Sequence, residues 1–150
     1  MVKTKVVEPV FHLHRGDCVQ LLASGALDKP QQRPNPGGPY DLVVADPPYS
    51  FGMEYDAYHD KHTYEEYLTW SKSWLGAVTA KLARHGSMFV FAPDEWVSEI
   101  DLHCRQELGL WLRNHIIWAF TFGVRCDKKF SRSHCHILYF TKTKSKFTFN

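Results

Sequence analysis

Apolar and polar positions along this 150-residue chain follow two periods in turn. In VFHLHRGD, residues 10–17, Phe11 and Leu13 alternate with His12 and His14, which predicts a short strand. Gly16 ends it, and Asp17 stands where it can cap a short helix over CVQLLAS. Residues 28–39, DKPQQRPNPGGP, are too rich in proline and glycine for either period and read as a surface loop. In DLVVAD the apolar residues Leu42, Val43, Val44 and Ala45 are consecutive, the pattern of a parallel strand covered on both faces. The stretch SFGMEYDAYHDKH is polar and aromatic without a period, so a mobile loop is expected. Thr63 and Glu66 then form a capping box for a long helix. Its stripe of Tyr64, Tyr67, Leu68, Trp74, Leu75, Val78 and Leu82 keeps helical spacing up to a stop at Gly86. SMFVFA predicts a strand ended by Pro93, and residues 94–108 a second helix that Asp94 would start and Gly109 end. LWLRNHIIWAF and HCHILYF predict two more strands, separated by the basic loop TFGVRCDKKFSRS. Strands alternating with helices imply an α/β fold: a mostly parallel sheet of about five strands with flanking helices, in a single domain over residues 1–150.

The candidate chemistry sits where the most apolar strand stops. Asp46, Pro47, Pro48 and Tyr49 follow it directly, and two consecutive prolines forbid both helix and central strand. In parallel sheets ligands gather at the carboxyl ends of strands, where Asp46 stands. Pro48 restricts Pro47 to an extended conformation, so the Pro47 carbonyl is held in one direction. Neither proline has an N–H, so the turn offers acceptors with few competing donors. Tyr49 adds a flat face able to stack on a ring. The guest that matches is an amino group on an aromatic ring. Two acceptors fixed in advance would take its two hydrogens and let its lone pair turn towards an electrophile. A base within duplex DNA would first have to be flipped out of the stack.

Composition narrows the class. With 44% apolar and 23% charged residues the chain reads as an ordinary globular protein. No run approaches the length of a membrane span and the N-terminal segment lacks a signal-peptide core, so a cytoplasmic location and no membrane partner are expected. Charge is uneven. Arg125, Lys128, Lys129, Arg132, Lys142, Lys144 and Lys146 face only Asp127 in the last thirty residues, while the rest of the chain is net acidic. A basic end suits a phosphate backbone, and Arg125, Lys128, Lys129 and Arg132 are the candidate nucleic-acid contacts. Phe130, Tyr139, Phe147 and Phe149 lie among these lysines and can stack on bases, although core packing is favoured for Phe130 and Tyr139. The four cysteines form no C-x-x-C pair. Cys126, His134, Cys135 and His136 do not suit zinc, because alternation along a strand turns His134 and His136 away from Cys135, and no metal is expected. His59, His62, His103 and His115 have no partners at ligand or catalytic spacing and read as surface or loop residues.

These residues resemble the amino-methyltransferases of DNA, the S-adenosylmethionine-dependent enzymes that methylate adenine N6 or cytosine N4 and serve in restriction-modification. LHRGDCVQLL is similar to the family's opening segment, DLVVADPPYSFG to its catalytic motif, and SMFVFA and NHIIWAF to the strands that follow. FSRSHCHILYFTK is similar to a segment where members carry His-Glu, and here Cys135 replaces that acid. The resemblance implies a Rossmann-like methyltransferase sheet, with Asp46, Pro47, Pro48 and Tyr49 holding the flipped target base. It implies that Asp17 contacts the adenine of the cofactor, S-adenosylmethionine, with Asp46, Ser50 and Phe51 at the boundary of base and cofactor pockets. An Asp-led turn points to adenine N6, with cytosine N4 as the alternative.

One family element is missing from the sequence. No two of the nine glycines are separated by a single residue, so the loop that approaches the cofactor's methionine end is absent. The chain therefore reads as the front half of such an enzyme, a partial sheet with apolar surface exposed, inactive alone or completed by a complementing chain or a homo-oligomer. Two other readings stand beside it. One is a non-catalytic nucleic-acid-binding remnant that uses the basic end. The other is methylation of RNA or of a protein glutamine, against which Asp46 counts, since those relatives carry Asn there.

Overall fold

A four-stranded sheet with helices on one face organises the chain in the computed structural model, which describes residues 11–27, 38–55, 58–123 and 125–149. In chain order the elements are α1 (Cys18–Ala23), β1 (Tyr40–Ala45), β2 (Glu54–Tyr55), β3 (Tyr58–His59), α2 (Tyr64–Lys81), β4 (Leu82–Ala92), α3 (Val97–Leu102), a π-helical turn (His103–Glu107), β5 (Trp111–Ala119) and β6 (His134–Thr141). The main sheet runs β1-β4-β6-β5, and β2 with β3 forms a small hairpin inside the expected loop. None of the described helices is long and apolar enough to cross a membrane.

The α/β class holds, but among the described residues the sheet is mixed rather than mostly parallel and has four strands rather than about five. Among the described strands of this sheet only β1 and β4 pair in parallel; β6 is antiparallel to both β4 and β5. The reason is the connection. The basic loop between β5 and β6 has no helix to carry the chain back across the sheet, so β6 returns antiparallel and inserts between β4 and β5. The expected first strand does not form over its described residues: Phe11 and Leu13 are 87% and 99% exposed. Alternation gives a strand only where a sheet edge accepts it.

The core lies between the sheet and α2 with α3. Met88, Val90 and Ala92 of β4 and Leu138 and Phe140 of β6 point to one face, where Tyr67, Trp74 and Leu75 of α2 and Ile100 of α3 meet them. Register fixes this, because Met88 lies opposite Phe140 and Val90 opposite Leu138. Burying each such side chain contributes about 1.5–3 kcal/mol. β1 is covered on one face only. Val43 and Ala45 pack on the core, whereas Leu42 and Val44 remain 57% and 62% exposed, which corrects the expectation of a strand buried on both faces.

Two helix boundaries differ from expectation. The capping box of Thr63 and Glu66 is present, but α2 ends at Lys81 and not at Gly86. Leu82 turns extended to begin β4 while its N–H still bonds the Thr79 carbonyl, and Lys142 Nζ donates to the carbonyls of Thr79 and Leu82 at 3.0 and 2.5 Å. Gly38 passes so close to the Lys81 carbonyl that any Cβ there would collide with it. Asp94 does not start α3, whose first residue follows Trp96 without a side-chain cap. Its carboxylate is engaged elsewhere.

Candidate active site

β1 carries its last apolar residue, Ala45, into the sheet opposite Val90 and leaves Asp46 exposed at the strand's carboxyl end. The Tyr49 hydroxyl donates to Asp46 Oδ1 at 2.5 Å, closing the Asp-Pro-Pro-Tyr turn on itself. Burial first, and then this carboxylate, push the Tyr49 phenol far above its ordinary range, so it keeps its proton. The Phe51 ring meets the Tyr49 ring edge-on with centroids 5.7 Å apart.

Behind the turn, two side chains from the core grip its backbone. Tyr67 Oη donates to the Pro48 carbonyl at 3.0 Å, and Trp96 Nε1 donates to the Tyr49 carbonyl at 3.1 Å. In front, the next residues are tied to the segment that leads into α2. Ser50 sits at φ 61°, a left-handed conformation that a non-glycine residue adopts only when its surroundings impose it. Its Oγ accepts the His62 N–H at 3.0 Å. The buried Asp60 accepts the Phe51 N–H through Oδ2 at 3.3 Å, while its Oδ1 has no partner among the described residues. Cys135, on the opposite face of β6 from His134 and His136, feels the Asp46 charge; burial and that charge raise its thiol, so it is a poor nucleophile.

A second cluster joins the ends of β4 and β6. Arg132 Nε lies 2.9 Å from Asp94 Oδ2, and its guanidinium also donates to Glu95 at 2.5 Å. His136 Nε2 and His134 Nε2 lie 2.6 and 3.3 Å from Asp94 Oδ1. Burial works to raise the Asp94 carboxyl, but the His136 hydrogen bond and the Arg132 charge outweigh it and hold the group below its ordinary value. The metal-like grouping among the described residues is thus Asp94, His134 and His136, a different set from the Cys/His group weighed on sequence. Its carboxylate oxygens are already taken up by two imidazoles and a guanidinium, which makes it a satisfied polar network.

The expected site residues divide. Asp46, Tyr49, Ser50 and Phe51 are together, and Arg132 reaches them, its guanidinium 5.6 Å from the Phe51 ring. Lys129 lines a shallow hollow with Phe51 and Arg132, and Arg125 pairs with Asp127 at 3.5 Å. Asp17 caps α1, accepting from Val19 and Gln20 through Oδ1 alone, with no bond to the turn. Phe130 is fully exposed, against the core packing expected for it, while Tyr139 is buried as expected. His115 is not without a partner, since its Nε2 lies 2.7 Å from His136 Nδ1, and His103 is buried rather than on the surface. Sequence reasoning missed the roles of Tyr67, Trp96 and Asp60. The available signal was that a tyrosine on the buried stripe of a helix must find a partner for its hydroxyl.

Comparison with known proteins bears on this geometry. The N6_N4_Mtase family model, described as DNA methylase, matches residues 40–150. The type II methyltransferase M.HpaI of Haemophilus parainfluenzae is 36% identical over 110 residues, covering 73% of this chain and 35% of that protein. The DNA adenine methyltransferase YhdJ of Escherichia coli (strain K12) is 28% identical over 116 residues, 77% of this chain and 39% of that protein. The chain therefore spans well under half the length of these curated relatives. The crystal structure of the M1.HpyAVI–SAM complex matches with a TM-score of 0.60 at 16% identity, over 91% of this chain and 57% of that one, a likeness of fold.

Proposed function

The chain belongs to the N6/N4 DNA methylase family, and from that premise we propose that it carries the base-binding part of a site that methylates an exocyclic amino group in DNA, adenine N6 by preference. The observation that carries this reading is the pattern of free and occupied acceptors on the turn. The Pro48 and Tyr49 carbonyls are taken by Tyr67 and Trp96, whereas no donor among the described residues reaches the Pro47 carbonyl. The Pro47 carbonyl and the Asp46 carboxylate are then the pair that accepts the two amino hydrogens of a flipped base. Tyr49 exchanges its bond to Asp46 for stacking on the base. Asp46 takes the proton that the amino nitrogen sheds as it acquires the methyl group.

S-adenosylmethionine fits the residues present only in part. Asp17 keeps Oδ2 free for a donor on the cofactor, and the trough beside β1, lined by Leu13, Leu22, Leu42 and Val44, is apolar enough for a ring. The glycine spacing for its methionine end is lacking. Bound there, the cofactor would supply an electrophilic methyl group on sulfur, and Ser50 and Phe51, which follow the turn, are the residues proposed to border the base and cofactor pockets. The M1.HpyAVI complex with SAM supports the choice of cofactor, and the adenine-methyltransferase name of YhdJ supports the choice of base. Lys128, Lys129 and Phe130, exposed on the basic loop beside Arg125 and Arg132, are proposed to meet the DNA backbone and unstacked bases.

The test is methyl transfer from labelled S-adenosylmethionine to unmethylated genomic DNA, followed by digestion to nucleosides. Label transferred by the chain, alone or with a complementing chain, is expected in N6-methyladenine and lost with Asp46→Ala. Label in N4-methylcytosine would overturn the choice of base. No label from a folded wild-type chain with or without a complementing chain, alongside salt-dependent DNA binding, would favour a non-catalytic nucleic-acid-binding role instead.

A further inference from the structure

A turn with two prolines has few amide hydrogens with which to fix its own shape. Around Asp46–Tyr49 the fixing is done from outside by two buried donors. Tyr67 comes from the first turns of α2, an end anchored by the Thr63–Glu66 capping box, and is 1% exposed. Trp96 comes from the residue before α3 and is 9% exposed. Their rings pack with centroids 4.4 Å apart, so the two donors form one rigid block. That block takes two successive carbonyls, Pro48 at 3.0 Å and Tyr49 at 3.1 Å. With those two drawn into the core, the preceding peptide has little freedom left, since each proline also locks its own φ.

We infer that Tyr67 and Trp96 are positioning residues for the transfer reaction: by holding the Pro48 and Tyr49 carbonyls they aim the Pro47 carbonyl and the Asp46 carboxylate at the amino group of the base. This rests on the methylation reading above. Phenylalanine at either position keeps a ring in the core, so a merely structural role predicts some loss of stability, from the smaller ring at position 96 above all, but little change in kcat. Reacting groups held in a near-attack geometry are far less forgiving, because small displacements of an acceptor cost rate rather than affinity. Burial pushes the Tyr67 phenol up to about 12, so it remains a donor throughout the working pH range.

Tyr67→Phe and Trp96→Phe each keep a ring in the core and remove one donor. In the labelled-methyl assay each is expected to lower kcat by about tenfold or more while KM for DNA changes less than about twofold. Tyr64→Phe is the control. It packs on the same Trp96 ring with centroids 5.2 Å apart but bonds Glu99, not the turn, and is expected to match wild type. Thermal midpoints of all three show whether they fold. A second readout needs no activity: carbonyl and carboxyl carbon resonances of chain labelled at proline, tyrosine and aspartate. Loss of either donor is expected to move the Pro47 carbonyl and the Asp46 carboxyl as well as the carbonyl directly released. Unchanged kcat in both folded variants, or Pro47 and Asp46 resonances that stay in place, would overturn the inference. A wild-type chain that transfers no methyl group would count against the function alone, and the resonances would then decide the positioning role.

Discussion

The proposed function gives Tyr49 two tasks that pull in different directions. Its hydroxyl holds Asp46 at 2.5 Å, while stacking on a base needs only its ring. Tyr49→Phe keeps the face and frees the carboxylate, so its kcat/KM on DNA is expected to stay within severalfold of wild type. Tyr49→Ala forfeits base stacking of about 1–3 kcal/mol and should lose roughly ten- to a hundredfold. Equal damage from both would show that the hydroxyl, not the face, is what the site uses. Ser50, at φ 61° with its Oγ accepting the His62 amide, belongs to the same argument, because the strained residue directly follows Tyr49 at the end of the turn.

At the scale of elements, α2 matters most, since it positions Tyr67 and begins where the loop after the turn ends. Thr63 Oγ1 accepts from the Glu66 amide at 3.3 Å, and Glu66 Oε2 accepts from the Thr63 amide at 2.8 Å. Thr63→Ala should cost about 1 kcal/mol in chemical denaturation. The Thr63 backbone amide holds the Glu66 carboxyl below its ordinary value. A carboxyl depressed in the folded state stabilises above its unfolded value, and that contribution is lost as pH falls through the folded one. The thermal midpoint should therefore fall on the acid side of the ordinary carboxylate range, and Glu66→Gln should flatten part of that fall. A Gln variant with the wild-type slope would assign the acid sensitivity to other groups, Asp94 first among them.

Over the whole molecule, the sheet presents apolar surface at β1. Leu42 and Val44 lie on the uncovered face of a strand that ends the sheet among the described residues, with Leu13 almost fully exposed nearby. An apolar edge strand of this kind promotes association. Sedimentation velocity should show concentration-dependent self-association that Leu42→Lys reduces; if the substitution changes nothing, the contact lies elsewhere, with exposed Trp118 and Ile117 of β5 the next place to look.

Local patterns in the sequence determined the capping box of α2, the Asp17 cap of α1, the strands around LVVA, MFVFA and HILYF, and the acceptor turn that follows the first of them. Each depends on residues within a few positions of one another, where backbone sterics and hydrogen-bond geometry leave few choices. Only the tertiary structure decided the antiparallel insertion of β6, the early end of α2 under Lys142, and the exposure of one face of β1. It also decided that Tyr67 and Trp96 close on two carbonyls of the turn, and that Asp94 turns from helix cap to partner of Arg132 and two histidines. These contacts join residues far apart in the chain, and they are set by which surfaces the sheet brings together, a quantity that no local period encodes.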